Sequence, residues 1–416
     1  MTDCDDCTGL SRRRFLQGVG ASAAAAAALP LLSSQAAYAA DPAWSGPVLV
    51  VLSLRGGMDG LSVVAPVGDP DYARRRPGIA VPSSAALATG DRLFGLHPAL
   101  APLLPLWQRG QMAAVHAVGT PDGSRSHFRA TEELERAAPG TTLRTGWLNR
   151  VLGVAGTGTA FQAVHLGSGV PAQLLAGPAP ALATRSLSGF SLQAADWVKT
   201  LPATVRALHT GTTLPTAAPA LHTLGALDTA AAVRAAAGGP RNGAVYPAES
   251  ALGAALADAA VLVRAGNGLQ ALTVDVGDWD MHNALGRGGT GWMADKLTDL
   301  AQALSAFATD LGADFARVNV VTVSEFGRRV TENGSGGVDH GHGNAVLLLG
   351  GGLAGGRVHG RWPGLADAAL DHGDLAGTTD YRDVLAELLV RRLGLPAAQL
   401  SQVFPGLVHA PLGVVA

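Results

Sequence analysis

The run Pro47-Val48-Leu49-Val50-Val51-Leu52-Ser53-Leu54 passes straight into Arg55-Gly56-Gly57-Met58-Asp59-Gly60-Leu61. An unbroken apolar run of this length, rich in valine and leucine, is what a parallel strand needs when both its faces are covered. The glycines that follow let the backbone turn tightly at the strand end and carry a carboxylate over the sheet edge. Asp59 is therefore either a metal ligand or the acid of an ordinary Asp-Gly turn. Similar apolar runs recur at 112–118, 160–166, 269–276, 318–323 and 345–349. Helical patterns lie between them, at 128–138, 194–208, 249–264, 294–311 and 381–393. Alternation of this kind predicts an α/β fold: a doubly wound, mostly parallel sheet with helices on both faces. The stretch 167–247, rich in Ala, Leu, Thr and Pro, departs from the pattern and reads as a cap-like insertion. No fixed-period repeat is present.

The strand ends carry the chemistry. Thr322-Val323-Ser324-Glu325-Phe326-Gly327-Arg328-Arg329 leads into Val338-Asp339-His340-Gly341-His342 through a glycine-rich loop. Asp278-Trp279-Asp280-Met281-His282 follows another apolar run. Asp280 and His282 share one side of an extended segment, whereas Asp278 and His282 share one face if it coils. Carboxylates and imidazoles gathered at the carboxyl ends of strands suit a divalent cation. Asp59, Asp278, Asp280, His282, Glu325, Asp339, His340 and His342 are the candidate ligands, with Glu325 either a ligand or an orienter of one. His359 and His372 stand in reserve. His116 and His165 lie in apolar runs and read as core residues, and His97 precedes Pro98 at an expected helix start. Ser126, in Ser124-Arg125-Ser126-His127-Phe128-Arg129, is placed to cap a helix starting near residue 127. The same position suits a nucleophilic oxygen at the positive end of a helix. Arg125 and Arg129 are candidate anion contacts or surface charges.

The amino terminus points to export. Ser11-Arg12-Arg13-Arg14-Phe15-Leu16-Gln17 is a twin-arginine signature, the weakly apolar run 18–32 is too short for a convincing membrane span, and Ala37-Tyr38-Ala39 supplies a cleavage site. Residues 1–39 are expected to be removed by the twin-arginine machinery, leaving 40–416 in the periplasm or outside the cell. Cys4 and Cys7 fall in that leader, so any metal of the mature chain would be held by oxygen and imidazole nitrogen. A net charge of −2 argues against a nucleic-acid partner, and no later apolar run is long enough to span a membrane.

Taken in order, Arg55-Gly56-Gly57-Met58-Asp59-Gly60-Leu61, Ser126-His127-Phe128-Arg129, Trp279-Asp280-Met281-His282, Ser324-Glu325-Phe326-Gly327-Arg328 and Asp339-His340-Gly341 resemble an exported bacterial family, number 1501 among domains of unknown function. The resemblance continues through Arg361-Trp362-Pro363-Gly364-Leu365 and from Thr379 to Leu389, and covers nearly all of the mature chain. That family is grouped with the alkaline phosphatase and sulfatase superfamily. The resemblance implies an alkaline-phosphatase-like sheet and one or two divalent metal ions (Zn, Mn, Ca or Mg) acting on a small anionic ester. In that superfamily the early Asp, matched by Asp59, binds metal. Its nucleophile is a Ser or Thr at a helix start, matched by Ser126. A paired Asp and His, matched by Asp278 or Asp280 with His282, and an Asp-His-Gly, matched by Asp339 and His340, supply further ligands, and the last histidine ligand is open, with His342 first and His359 or His372 behind it. Superfamily spacing selects Asp278 and the family pattern Asp280. Ser126 lacks the surroundings of a formylglycine nucleophile. The implied activity is metal-dependent hydrolysis of phosphate or sulfate esters. The alternative is a non-catalytic binding or surface-assembly protein that keeps the fold.

Overall fold

Val48–Leu54, here β1, lies in the middle of the main sheet, and the remaining strands are arranged around it. The structure is a computed structural model that describes residues 44, 46–156, 158–191 and 200–416. The twin-arginine stretch, the Ala37–Ala39 site, Cys4, Cys7 and the first part of the helix expected from residue 194 lie outside the described residues. The described residues form one compact unit.

After β1 come β2 (Met112–Gly119), β3 (Ala163–Leu166), β4 (Leu182–Thr184), β5 (Ala271–Val276), β6 (Val318–Val323), β7 (Asn344–Gly350), β8 (Val358–His359) and β9 (Thr379–Asp380). Their order across the sheet is β8-β2-β7-β6-β1-β5-β3-β4, with β9 also paired to β2. Every pairing is parallel except those of β7, which runs antiparallel to both β2 and β6. The sheet is thus mixed and mostly parallel, and all the longer strands predicted from apolar runs are present. The short pairs at its margins have no apolar run to announce them.

The longer helices are α1 (His127–Arg136), α2 (Trp147–Ala155), α3 (Leu201–His209), α4 (Ala217–Ala237), α5 (Ala251–Ala265), α6 (Trp292–Leu311) and α7 (Tyr381–Arg391). Two begin on side-chain caps of the expected kind. Ser250 accepts from the Gly253 amide at 2.8 Å, and Asp380 accepts from the Arg382 amide at 2.9 Å.

The period of two along β1 sorts its side chains onto two cores. Val48, Val50, Leu52 and Leu54 pack with Leu256, Val263, Leu300 and Phe307 of α5 and α6. Leu49 and Val51 pack on the other face with Leu134, Leu148, Leu385 and Leu388 of α1, α2 and α7. Helices therefore cover both faces, which is why β1 reads as a continuous apolar run. Fully burying each such side chain contributes roughly 1.5–3 kcal/mol. The stretch 167–247 supplies the edge strand β4 and helices α3 and α4, and Ala226, Ala230 and Val233 of α4 join the same core as α5 and α6.

β1, β5 and β6 are neighbours in matched parallel register, so their carboxyl ends emerge together. β2 points the same way, being separated from β6 by the reversed β7. The loops after β1, β2, β5 and β6, and the loop entering β7, accordingly meet at one rim of the sheet. That rim is where an open α/β sheet offers a ligand site.

Candidate metal centre

Two glycines allow the loops to close. Gly56 has φ of 116°, and a Cβ there would lie 2.6 Å from the Asp280 amide nitrogen. A Cβ on Gly57 would lie 2.4 Å from the Phe326 ring. Only glycine permits this approach of the β1 loop to the β5 and β6 loops. Arg328, 1 % exposed, then ties them together. Its guanidinium donates to the carbonyls of Gly56, Gly57, Trp279 and Val338 and to the Asp280 carboxylate.

Three imidazoles gather around Asp280. His127 Nε2 lies 3.5 Å from Asp280 Oδ2. His282 Nε2 and His340 Nε2 lie 3.1 Å and 3.3 Å from Oδ1, and 2.9 Å from each other. Donor atoms of His127, Asp280 and His340 all fall within 4.8 Å of one another, a grouping able to hold a metal ion, and His282 flanks it.

The opposite ring nitrogens fix the tautomers. His340 Nδ1 is 2.8 Å from the Arg125 carbonyl oxygen, which can only accept, so Nδ1 carries the proton. His282 Nδ1 donates to Asp339 Oδ1 at 2.9 Å, and His127 Nδ1 to Glu325 Oε1 at 2.8 Å. In each neutral ring Nε2 then carries the lone pair, and that of His282 has Arg328 Nη1 at 3.5 Å. Two bare nitrogens at 2.9 Å repel unless a cation or a proton stands between them. His127 Nε2 is buried without a hydrogen-bond partner. Donors bonded at ~2.0–2.1 Å around a tetrahedral ion sit about 3.3 Å apart, close to the spacing seen here. An imidazole held by a carboxylate or carbonyl at its far nitrogen is also how metal-binding histidines are oriented. The residues present fit a divalent ion.

Charge keeps the two carboxylates of the cluster ionised. Burial works to raise the Asp280 carboxyl, but the hydrogen bond and charge of Arg328, with His340 and His282, pull it down to about 2. Asp339 is lowered by its hydrogen bonds from His282 and Asn333. His340 is lowered by burial, with the positive charge of Arg328 adding to it, which favours the neutral ring.

Not every candidate from the sequence joins the cluster. Asp280, His282 and His340 do, and Glu325 and Asp339 stand behind His127 and His282 as orienters. Asp59 is turned elsewhere: it is 1 % exposed, and Arg76 takes both of its oxygens while the Ser62 hydroxyl also donates to it. The Arg76 charge outweighs the burial that would raise the Asp59 carboxyl, leaving it lowered. Asp278 is exposed on a left-handed backbone of φ 73°, so Asp280 and not Asp278 pairs with His282. His342 packs against Gly119 and Gly377, where added Cβ atoms would lie 2.5 Å and 2.9 Å from its Nε2. His359 donates to the Ala354 carbonyl at 2.8 Å, and His372 is exposed beside Asp371. His116 and His165 are buried in strands, and His97 caps a helical turn by accepting from the Ala99 amide at 3.1 Å.

Ser126 occupies the N-cap position of α1, but its hydroxyl caps nothing and is exposed. Arg125 is paired with Asp374, and Arg129 with Asp122 at 3.2 Å. The residue of this grouping that the sequence reading passes over is His127. Its signal was present, an imidazole at a helix start after a strand, but it adjoined a serine that explained the helix start by itself.

Two solved structures share a distant likeness. A variant of alkaline phosphatase PafA aligns at TM-score 0.32 and 13 % identity, over 68 % of this chain and 64 % of that one. This chain thus spans less than two thirds of that phosphatase. The C-terminal periplasmic domain of EptC from Escherichia coli, in complex with Zn, aligns at TM-score 0.29 and 11 % identity over 74 % of each chain. No curated protein sequence matches. The model of the protein family of unknown function DUF1501 matches residues 82–402, and the chain belongs to that family.

Proposed function

We propose that this chain is an exported, metal-dependent hydrolase of phosphate or sulfate esters. The observation that carries this reading is the convergence of three imidazole Nε2 atoms on the Asp280 carboxylate, that of His127 buried without a partner and that of His282 3.5 Å from Arg328 Nη1. Three nitrogens and a carboxylate suit Zn or Mn better than Ca or Mg, which favour all-oxygen shells. With Asp59 engaged by Arg76, a single ion is the reading these residues support. When bound, such an ion supplies Lewis-acid charge for ester oxygens and lowers the pKa of a coordinated oxygen nucleophile.

His127, Asp280, His282 and His340 hold the ion in this scheme, and Glu325, Asp339 and the Arg125 carbonyl keep the three rings in the right tautomer. Ser126 offers the nucleophilic oxygen. Its hydroxyl is free of capping duty, it adjoins His127, and the amino end of α1 favours developing negative charge. Arg125 and Arg129 are the candidate contacts for the substrate anion, each already paired with an acid, Asp374 and Asp122. The twin-arginine leader would deliver the protein to the periplasm or beyond. No helix among the described residues is long and apolar enough to cross a membrane.

The test is metal analysis of the purified protein, then turnover of a panel of phosphate and sulfate esters with Zn or Mn added. Bound metal and ester cleavage are expected. His340→Ala should abolish cleavage, and Ser126→Ala should slow it at least ~100-fold. Protein that binds no metal and cleaves no ester sinks the proposal. A non-catalytic binding or surface-assembly role is favoured by one feature: Arg328 already gives Asp280 a counter-charge within the protein. Bound metal without turnover across the panel would select that role.

A further inference from the structure

Residues 121–126 have no regular structure, yet they lead directly to Ser126 and His127. Most of their hydrogen bonds are local. Thr120 Oγ1 donates to the Asp122 carbonyl at 2.7 Å, the Ser124 amide to Asp122 Oδ1 at 3.0 Å, and Arg129 Nε to Asp122 Oδ2 at 3.2 Å. Among the described residues, two side-chain bonds tie this segment to distant parts of the chain, and both involve Arg125. Its guanidinium donates to Asp374 Oδ2, and its carbonyl accepts from His340 Nδ1 at 2.8 Å.

Asp374 is 1 % exposed and sits in a short hairpin, Leu370–Asp371 against Asp374–Leu375. Its second oxygen lies 3.3 Å from Arg329 Nε. Arg329 also forms a backbone bridge with Asp374 and donates its amide to the Asp339 carbonyl at 2.9 Å. One buried carboxylate therefore joins the loop bearing Ser126 and His127 to the loop bearing Asp339 and His340. An acid that only neutralised surface charge would not need to be buried between two arginines from separate loops.

We propose that Asp374 is a positioning residue for the metal centre. Through Arg125 it fixes the carbonyl that keeps His340 in the Nδ1-protonated tautomer, and so aims the bare Nε2 into the cluster. Through Arg329 it holds the segment that carries Asp339. It touches neither ion nor substrate. The proposal rests on reading the cluster as a metal site, but its first readout does not.

That readout is nitrogen-15 spectroscopy of the imidazoles in the metal-free, full-length protein, comparing wild type with Asp374→Asn, Asp374→Glu and Arg125→Ala. Wild-type His340 should be in the Nδ1-protonated form. Asp374→Asn and Arg125→Ala should each shift it toward a mixture of tautomers, with Asp374→Glu restoring most of the wild-type pattern. Arg125→Ala retains the backbone carbonyl and changes a side chain that is 41 % exposed, so it reads the same link if Asp374→Asn fails to fold. The second readout is Zn affinity by chelator competition. Loss of an outer orienting group typically weakens binding ~10–100-fold, and the double variant should be no weaker than Asp374→Asn alone, because Arg125 acts through that carboxylate. An unchanged His340 tautomer in Arg125→Ala, or fully additive losses in the double variant, overturns the role of Asp374. Wild-type protein with no Zn affinity would sink the metal reading instead, and the tautomer comparison would still decide on Asp374.

Discussion

At the scale of single residues, the two acids that follow strands β1 and β5 have opposite surroundings. Asp280 is half exposed among three imidazoles, whereas Asp59 is sealed against Arg76. The variants His127→Ala and Asp59→Asn should therefore fail differently. His127→Ala should weaken Zn binding by about 100-fold or more with little loss of stability, because a ligand goes and a partly exposed ring is removed. Asp59→Asn should leave Zn affinity near wild type but lower unfolding stability by roughly 3–5 kcal/mol, since it leaves the Arg76 charge buried and uncompensated. Chelator competition and urea unfolding measure the two effects. Equal loss of Zn affinity in both would return Asp59 to the ligand set.

His116 gives a pH prediction at the same scale. Its Nδ1 accepts from the Ala117 amide at 2.8 Å and its Nε2 donates to the Val64 carbonyl at 2.9 Å, so the buried ring is satisfied only when neutral. Burial pushes it down to about 4 from the ordinary 6.5. The unfolded chain thus binds a proton that the folded chain refuses between these two values. Stability from this group is complete above pH 6.5 and is lost as the pH falls toward 4. Urea unfolding should show a decline on the order of 2 kcal/mol from His116 between pH 7 and 5. Replacing it with Gln should flatten that part of the profile; an unchanged slope would refute the assignment.

Among the elements, the loops matter more than the strands they follow. Gly56→Ala would strain a backbone at φ 116° and press a methyl toward the Asp280 amide. Expected results are a stability loss of at least about 1–3 kcal/mol and weaker Zn binding, read by thermal unfolding and chelator competition. The elements also mark what the sequence makes legible. Apolar runs reveal β1, β2, β5, β6 and β7 because each is buried on both faces. They do not reveal the reversed direction of β7, because a strand's composition is the same whichever way it runs. In the site, Asp280, His282, Glu325, Asp339 and His340 are legible as polar groups just beyond such runs. The fate of Asp59 is not, because its partner Arg76 is brought in by the fold and lies outside any motif. Nor is that of His342, which is decided by the close backbone of Gly119 and Gly377. His127 escapes notice because a residue opening a helix carries no periodic signal of its own.

For the whole molecule, a bound ion would join loops that leave three different strands, β2, β5 and β6, so binding and global stability should be linked. Any ligand that binds only the folded state at 100 times its dissociation constant adds about 2.7 kcal/mol. Zn at that excess should raise the unfolding free energy by about this amount, and a chelator should reverse it. His340→Ala should remove the response. A Zn effect that survives His340→Ala would place the ion elsewhere.

The reversal of β7 has a further consequence for how this chain can be altered. Because β7 starts where β6 ends, the chain between them never visits the opposite side of the sheet. Lengthening that link would disturb the cluster directly. The turn at Gly266, Asn267 and Gly268, which joins α5 to the start of β5, lies at the other side and already uses left-handed backbone. It is the natural place to graft a fluorescent tag or an affinity handle while leaving the chemistry untouched.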